Sequence, residues 1–96
     1  MGKKIRTPEV KELFEAILSL ENEEECFLFF EDVCTTNEIL SFAQRFQVAK
    51  FLGENRTYQE IAEKSGASTA TISRVKRSID DGSGGYELVF KRLGKK

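Results

Sequence analysis

Residues 57–77 constrain the fold of this chain more than any other segment, because they predict two short helices joined by a glycine turn. Thr57 and Glu60 have the spacing of a capping box, which begins a helix. Gly66 supplies the left-handed backbone conformation that often follows a helix end. Ser68 then stands where a cap would begin a second helix. The segment therefore predicts a helix, a tight turn and a helix.

The inward-facing residues of these two helices favour close packing. In the first helix they are Ile61 and Ala62, and Ala62 is small enough for another helix to cross nearby. In the second helix Ile72, Val75 and Ile79 recur at helical spacing. Two helices arranged in this way form a helix-turn-helix, the motif that inserts one helix into the major groove of DNA.

The outward side of the second helix is small, hydroxylated or basic, and it carries no acidic residue before Asp80. Such a surface can approach phosphates and base edges. The start of the first helix would contact the DNA backbone, aided by the positive end of the helix. The predicted DNA-contacting residues are Tyr58, Gln59, Ser68, Thr69, Ala70, Thr71, Ser73, Arg74, Lys76 and Arg77.

An alternative function stays open, because helix–glycine–helix corners also occur in structural and protein-binding domains. The alternative is a helical protein-interaction adaptor that does not read DNA and that works through its acidic, Phe-rich N-terminal half. DNA binding is favoured because the two caps, the spacing of Ala62 and Gly66 and the basic outer face all agree.

The charge distribution also favours a polyanionic partner. The net charge of −1 combines +3 over residues 1–6, −8 over residues 7–55 and +4 over residues 56–96. The helix-turn-helix thus lies in the basic part of the chain, and the acidic middle should face away from DNA. Uneven charge is common in small domains, so this observation supports the motif without establishing a function.

Composition sets further limits. Ninety-six residues are enough for a single domain, and we divide it into dimerisation helices (7–55), the helix-turn-helix (56–80) and a C-terminal helix with a basic tail (81–96). No apolar run approaches the roughly 18 residues of a membrane helix, and no secretory signal follows the basic start, which predicts a cytoplasmic protein.

The two cysteines, Cys26 and Cys34, are predicted to be buried, reduced thiols. The chain has no His, and the cysteines do not have the C-x-x-C spacing of a metal or redox site. The common nucleophile pairings are therefore missing as well. We expect no metal, no cofactor and no enzymatic activity.

Four more helices are predicted around the motif. The first begins at Thr7-Pro8-Glu9 and extends to about Asn22. The second covers residues 23–34 and is apolar on every side, although its aromatic run would also suit a short strand. The third extends from Glu38 to about Leu52 after a capping box formed by Thr35 and Glu38. The last covers Tyr86 to Leu93.

The buried faces of the last two of these helices follow from the same periodicity. The predicted inward residues of the third helix are Ile39, Phe42, Ala43, Phe46, Ala49 and either Phe51 or Leu52. Those of the last helix are Leu88, Val89 and Leu93.

The aromatic content predicts assembly. Five of the eight Phe residues fall between positions 27 and 46. A chain of this size can hardly cover every face of the second helix, and each large side chain left exposed forfeits about 1.5–3 kcal/mol of burial. A second copy of the chain is the simplest cover, and many helix-turn-helix proteins bind two DNA half-sites as dimers. The alternative is a compact, Phe-rich monomer.

Residues 57–61 (Thr-Tyr-Gln-Glu-Ile) and 66–74 (Gly-Ala-Ser-Thr-Ala-Thr-Ile-Ser-Arg) resemble the DNA-binding segment of the tryptophan repressor family, and in particular its YerC/YecD-like branch. The resemblance extends over about residues 7–93 in length and helix order. It implies an all-α, six-helix fold, an interleaved homodimer and paired helix-turn-helix heads on successive major grooves of an operator. It also implies a transcriptional regulator, and a repressor in particular.

The resemblance further implies a pocket for an amino-acid effector. Its residues here would be Thr35, Arg45, Arg74, Val75 and Ser78. Val75 replaces a glycine of the tryptophan repressor, so the branched side chain would narrow the slot and favour an effector smaller than tryptophan, such as histidine, or none. For Arg45 and Arg74, a phosphate contact or a surface ion pair is an alternative role.

Overall fold

Over residues 4–94, the part of the chain that the computed structural model describes, the fold contains six α-helices and no strand. This confirms the predicted all-α class and helix order. Within the same range no helix is both long and apolar enough to cross a bilayer. The basic residues Lys3, Lys95 and Lys96 lie outside the described residues. The helices are α1 (Pro8–Leu18), α2 (Glu23–Val33), α3 (Thr36–Gly53), α4 (Tyr58–Ser65), α5 (Thr69–Asp81) and α6 (Gly85–Gly94).

The chain divides into two compact units between Thr36 and Asn37. The helices α1 and α2 belong to the first unit, and nearly all of α3 belongs to the second unit together with α4, α5 and α6. The α3 helix contributes to the same core as the helix-turn-helix. The predicted division into dimerisation helices (7–55) and motif (56–80) concerns their roles and stays a prediction.

The core of the second unit is formed where α3 meets α4 and α5. Ile61, Ile72 and Val75, which the sequence placed inward, are fully buried, and so is Ala49 of α3. Val48 is buried as well and was not anticipated. Full burial of a branched side chain of this size contributes about 1.5–3 kcal/mol, so this contact is the main attachment of the helix-turn-helix to the rest of the unit.

The face of α6 that packs differs from the predicted one. Leu88, Val89 and Leu93 are all exposed in the single chain. Tyr86 and Phe90 pack against the core instead, and the Phe90 ring stacks on the ring of Phe46 with centroids 5.1 Å apart. Residues four apart lie on one side of a helix, so the aromatic pair forms the packed side of α6 and places Leu88 on the opposite side, toward solvent.

Other predicted core positions are also exposed in the single chain. Phe42 and Ala43 of α3 and Ile79 of α5 are accessible, whereas Ile39 and Phe46 are partly buried. All three exposed positions satisfy the helical period, but the second unit offers no element to cover them. Periodicity identifies an apolar face and does not determine whether the same chain covers it.

In the first unit, each helix begins with a side-chain cap. The Val10 amide donates a hydrogen bond to the Thr7 hydroxyl (3.2 Å), as predicted for the start of α1. This helix ends at Leu18 and not near Asn22, because the Asn22 side chain caps α2 by accepting a hydrogen bond from the Glu25 amide (2.9 Å). The helical reading of residues 23–34 is confirmed, since α2 covers Glu23–Val33.

Large apolar side chains of the first unit are exposed in the single chain. Phe27 and Leu28 of α2 are 55% and 56% exposed, and Leu18 of α1 is 83% exposed. Cys26 is exposed and Cys34 is partly buried, and both are free thiols. The prediction that Cys26 is buried is wrong for the single chain, since the helix around it has an uncovered side.

The end of α3 positions the helix-turn-helix. Asn55 adopts a positive φ of 63°, the Arg56 amide donates to the Phe51 carbonyl (3.2 Å), and the Asn55 amide donates to the Leu52 carbonyl (3.0 Å). These two bonds form a Schellman motif, in which a left-handed residue reverses the chain. The Arg56 guanidinium also lies 5.4 Å from the centre of the Phe51 ring, the contact that commonly accompanies this motif.

Substitution of Asn55 by Ala should destabilise the protein by about 1 kcal/mol, because a β-carbon disfavours the left-handed conformation and Asn tolerates it better. Denaturant unfolding at one fixed protein concentration would measure the change. Gly53→Ala is the matched control, since a β-carbon at Gly53 meets no atom within 4 Å, and it should stabilise by about 0.5 kcal/mol. An Asn55→Ala variant as stable as the parent would contradict this account.

Candidate nucleic-acid interface

The first helix of the motif begins with the predicted capping box. The Glu60 amide donates to the Thr57 hydroxyl oxygen (3.1 Å), and the Thr57 amide donates to the Glu60 carboxylate (3.0 Å). These bonds satisfy two amides that a helix start leaves without partners. Tyr58 and Gln59 follow at once and are exposed, so the structure presents both residues as the sequence predicted.

The turn between α4 and α5 is held by backbone and hydroxyl contacts. Gly66 has a φ of 75°, and its amide donates to the Ala62 carbonyl (2.9 Å). The Ser65 hydroxyl donates to the Ile61 carbonyl (2.6 Å) and accepts from the Ala67 amide (3.1 Å). Ala67 is buried as a result. The predicted role of Gly66 is confirmed, and Ser65 and Ala67 are additional parts of the turn.

The start of α5 uses two of the predicted DNA-contacting hydroxyls. The Ser68 hydroxyl accepts a hydrogen bond from the Thr71 amide (3.1 Å) and lies 3.2 Å from the Thr71 hydroxyl. Thr71 is accordingly only partly exposed. Ser68 and Thr71 therefore fix the first turn of α5, and the more accessible groups at this end are Thr69 and Ala70.

The rest of α5 has one buried side and one accessible side. Ile72 and Val75 are buried, whereas Ser73, Arg74 and Arg77 are exposed. The first turn contains no acidic residue. The accessible side of α5 thus carries hydroxyl, methyl and guanidinium groups, and the opposite side of the same helix is packed in the core.

Lys76 also lies on the accessible surface, but it is paired. Its ammonium donates a hydrogen bond to the Asp80 carboxylate (3.0 Å), and both side chains are about half exposed. The hydrogen bond to Asp80 and the charge of that carboxylate raise the pKa of Lys76 above its ordinary value, so this lysine stays charged at neutral pH. The spacing of four residues between Lys76 and Asp80 was the available sequence signal for this pair.

An open cleft of about 380 Å³ lies beside this pair. It is formed where the end of α3, the start of α4 and the second half of α5 approach one another. Its polar side chains include two cations, one anion and a phenol. The residues that line it are Leu52, Gly53, Asn55, Arg56, Tyr58, Lys76, Ile79 and Asp80.

The residues assigned to an effector pocket differ in their surroundings. Ser78 lines a cleft of about 170 Å³ together with Tyr86 and Phe90. Arg74 is exposed and is absent from the lining of that cleft, and Val75 is only 1% exposed because it packs in the core. Thr35 is exposed at the end of the first unit.

Gln44, which the sequence analysis did not select, reaches the motif in place of Arg45. The Gln44 side-chain amide donates to the Ser65 carbonyl at the end of α4 (3.2 Å). Arg45 is partly buried, and its guanidinium lies 5.2 Å from the centre of the Phe42 ring. Neighbouring residues on a helix point about 100° apart, so a shift of one position decides which side chain meets the turn.

Comparisons with known proteins agree with this architecture. YerC of Bacillus subtilis (strain 168) is 52% identical over 90 residues, which cover 94% of this chain and 86% of that protein. The crystal structure of a TrpR-like protein from Eubacterium eligens has a TM-score of 0.94 and 62% identity, and the match covers 98% of this chain and 97% of that one. A solved structure from Staphylococcus aureus has a TM-score of 0.91 and 52% identity over 96% and 95% of the two chains.

The capped helices, the glycine turn and the accessible face of α5 define an all-α protein with a helix-turn-helix. The sequence model of the family described as Trp repressor protein matches residues 8–94. The chain belongs to this family of DNA-binding regulators, and the predicted resemblance is confirmed.

Replacement of Gln44 by Leu should loosen the attachment of the turn, because the Ser65 carbonyl loses its side-chain donor. We expect a loss of about 1 kcal/mol in the free energy of unfolding and faster hydrogen exchange of the amides of residues 65–67. Gln47→Leu is the matched control, since Gln47 is exposed on the same helix. Equal behaviour of the two variants would rule out a contribution of Gln44 to the turn.

Proposed function

We propose that this protein is a sequence-specific, homodimeric transcriptional regulator that acts as a repressor on a double-stranded DNA operator in the cytoplasm. The observation that carries the proposal is the accessible, basic and hydroxylated face of α5 on a helix whose other side is buried. Membership of the Trp repressor family supports it.

The residues divide into two roles by chemistry. Thr69, Ala70 and Ser73 are short, so they suit close approach to base edges, while the cations of α5 suit guanine or phosphate. Thr71 would act mainly by fixing the first turn together with Ser68. Tyr58 and Gln59 would contact the DNA backbone at the start of α4.

The proposed dimer is supported by apolar surface that a lone chain leaves uncovered. In the first unit, Phe27 and Leu28 are exposed. A groove of about 730 Å³ between the N-terminal arm and α1 is lined in part by Ile5, Phe14 and Leu18. Patches of this kind mark interaction surfaces, and a second copy would bring two α5 helices to a pair of DNA half-sites.

The Phe27→Ser variant should dissociate far more readily than the parent protein. In a symmetric dimer the substitution occurs twice, so a loss of about 1.5 kcal/mol at each site predicts a dissociation constant about 100-fold higher. Sedimentation equilibrium would measure it, with Asp32→Ser as a polar control on the same helix. A parent protein that sediments as a single chain at micromolar concentration would refute the dimer.

An amino-acid effector is part of the proposal. The cleft beside Ser78 is small, at about 170 Å³, and it is bounded by the rings of Tyr86 and Phe90. A ligand smaller than tryptophan, such as histidine, fits these dimensions better. Selection of genomic fragments with the purified protein, repeated with each amino acid, would test operator and effector together.

Substitution of Arg77 by Ala should weaken DNA binding, because Arg77 is an exposed cation on α5. If Arg77 meets a phosphate, affinity should fall for all sequences alike, and the slope of log K against log salt should decrease by about 1.8, because the dimer loses one such contact in each half-site. If it reads guanine, discrimination at one base pair should fall by about 1–3 kcal/mol.

Lys50→Ala, on α3 and outside the motif, controls for the lost charge. Equal affinities of the Arg77→Ala and Lys50→Ala proteins would remove Arg77 from the interface. Absent or salt-insensitive DNA binding by the parent protein would favour the protein-interaction adaptor instead.

A further inference from the structure

Three cations lie on the accessible part of α5, and they differ in their partners. Arg74 and Arg77 make no hydrogen bond or ion pair with any of the residues in the described range 4–94. Lys76 donates to the Asp80 carboxylate one turn later on the same helix. One of the three positive charges is therefore already neutralised within the chain.

The pair lies at an opening where DNA phosphate could enter. Lys76 and Asp80 line the cleft of about 380 Å³ together with Arg56 and Tyr58. A guanidinium, an ammonium and a phenol are the donors that bind backbone phosphates in protein–DNA complexes. The Asp80 carboxylate is an anion already in contact with one of these donors, the Lys76 ammonium, in the position that suits a phosphate oxygen. The Arg56 guanidinium is paired with the Glu54 carboxylate (3.0 Å).

We propose that Asp80 is an internal competitor of DNA: it holds Lys76 in the free protein and must release it before Lys76 can bind a backbone phosphate in this cleft. The inference rests on the proposed DNA-binding function. It assigns the cleft to a phosphodiester and gives Asp80 the role of lowering the affinity for every DNA sequence.

The competition follows from charge. A carboxylate and a phosphodiester each carry one negative charge, so Lys76 can neutralise only one of them. When the phosphate enters, Asp80 loses its partner and lies close to a like charge, which disfavours the complex. Because an exposed ion pair contributes only about 0.2–1 kcal/mol, DNA can displace Asp80. The proposed homodimer contains two such pairs, so the competition should alter affinity by about 2- to 30-fold.

The adjacent residue supplies a matched control. Asp81 is the last residue of α5, is exposed, and makes no ion pair with the residues described in the structure. Asp80→Asn and Asp81→Asn change the net charge equally and keep the side-chain shape. We expect the Asp80→Asn protein to bind duplex DNA about 2- to 30-fold more tightly than the Asp81→Asn protein, because the dimer carries the substitution twice. Fluorescence anisotropy at fixed salt, with both an operator and a random duplex, would measure this ratio.

The same two substitutions in a Lys76→Met protein test whether the effect of Asp80 depends on Lys76. In a Lys76→Met protein, Asp80 has no ammonium to release and the cleft has one donor fewer for a phosphate. The ratio of affinities between the Asp80→Asn and Asp81→Asn proteins should therefore fall towards one. Circular dichroism and thermal unfolding would show that all variants remain folded.

Each outcome bears on a separate claim. If the parent protein binds DNA and the two Asn variants bind equally, or the Asp80→Asn protein binds more weakly, the competition is refuted and the proposed function stands. The same holds if the difference persists with Met at position 76. If the parent binds no duplex at all, the proposed function and this inference both fail.

Discussion

The architecture of the second unit depends on the burial of Ile61, Ile72 and Val75 against α3. These branched side chains come from both helices of the motif, and they pack against Val48 and Ala49 of α3. With each contributing about 1.5–3 kcal/mol, this contact exceeds any single cap or surface ion pair in the unit. A helix that reads DNA must keep its orientation while its outer face is exposed, and burial of the opposite side provides that constraint.

Local hydrogen bonds then determine the direction in which the anchored helices point. The capping box begins α4, the Ser65 and Gly66 contacts shape the turn, and Ser68 begins α5. Each cap contributes about 1 kcal/mol, so these bonds tune the geometry of the motif more than they stabilise the fold. The Gln44 contact adds a constraint from α3. The orientation of the accessible face of α5 is thus fixed by the buried core and by the hydrogen bonds at both ends of the turn.

The sequence predicted the features that depend on short-range chemistry. Caps, the glycine turn and the buried side of α5 involve residues within about four positions of one another, so their spacing is visible in the chain. It did not predict that Tyr86 and Phe90 would pack in place of Leu88 and Val89, because Phe46 lies on a distant helix and its position depends on tertiary structure. For the same reason it did not predict that Gln44 would contact the Ser65 carbonyl at the turn. The Lys76–Asp80 pair could have been predicted from the sequence, because the two residues are four positions apart on one helix.

Several apolar helix faces remain exposed in the single chain, and they have the same physical explanation. Phe27 and Leu28 in the first unit, and Leu88 and Leu93 in the second, satisfy helical periodicity and remain accessible. Water-exposed rings and branched chains of this size are unfavourable unless another surface covers them. In both units most of the uncovered apolar residues lie on helices other than α4 and α5, which carry the motif, although Ile79 near the end of α5 is also accessible. A partner that covered them would leave the α5 surface free, so assembly and DNA contact would use different parts of the chain.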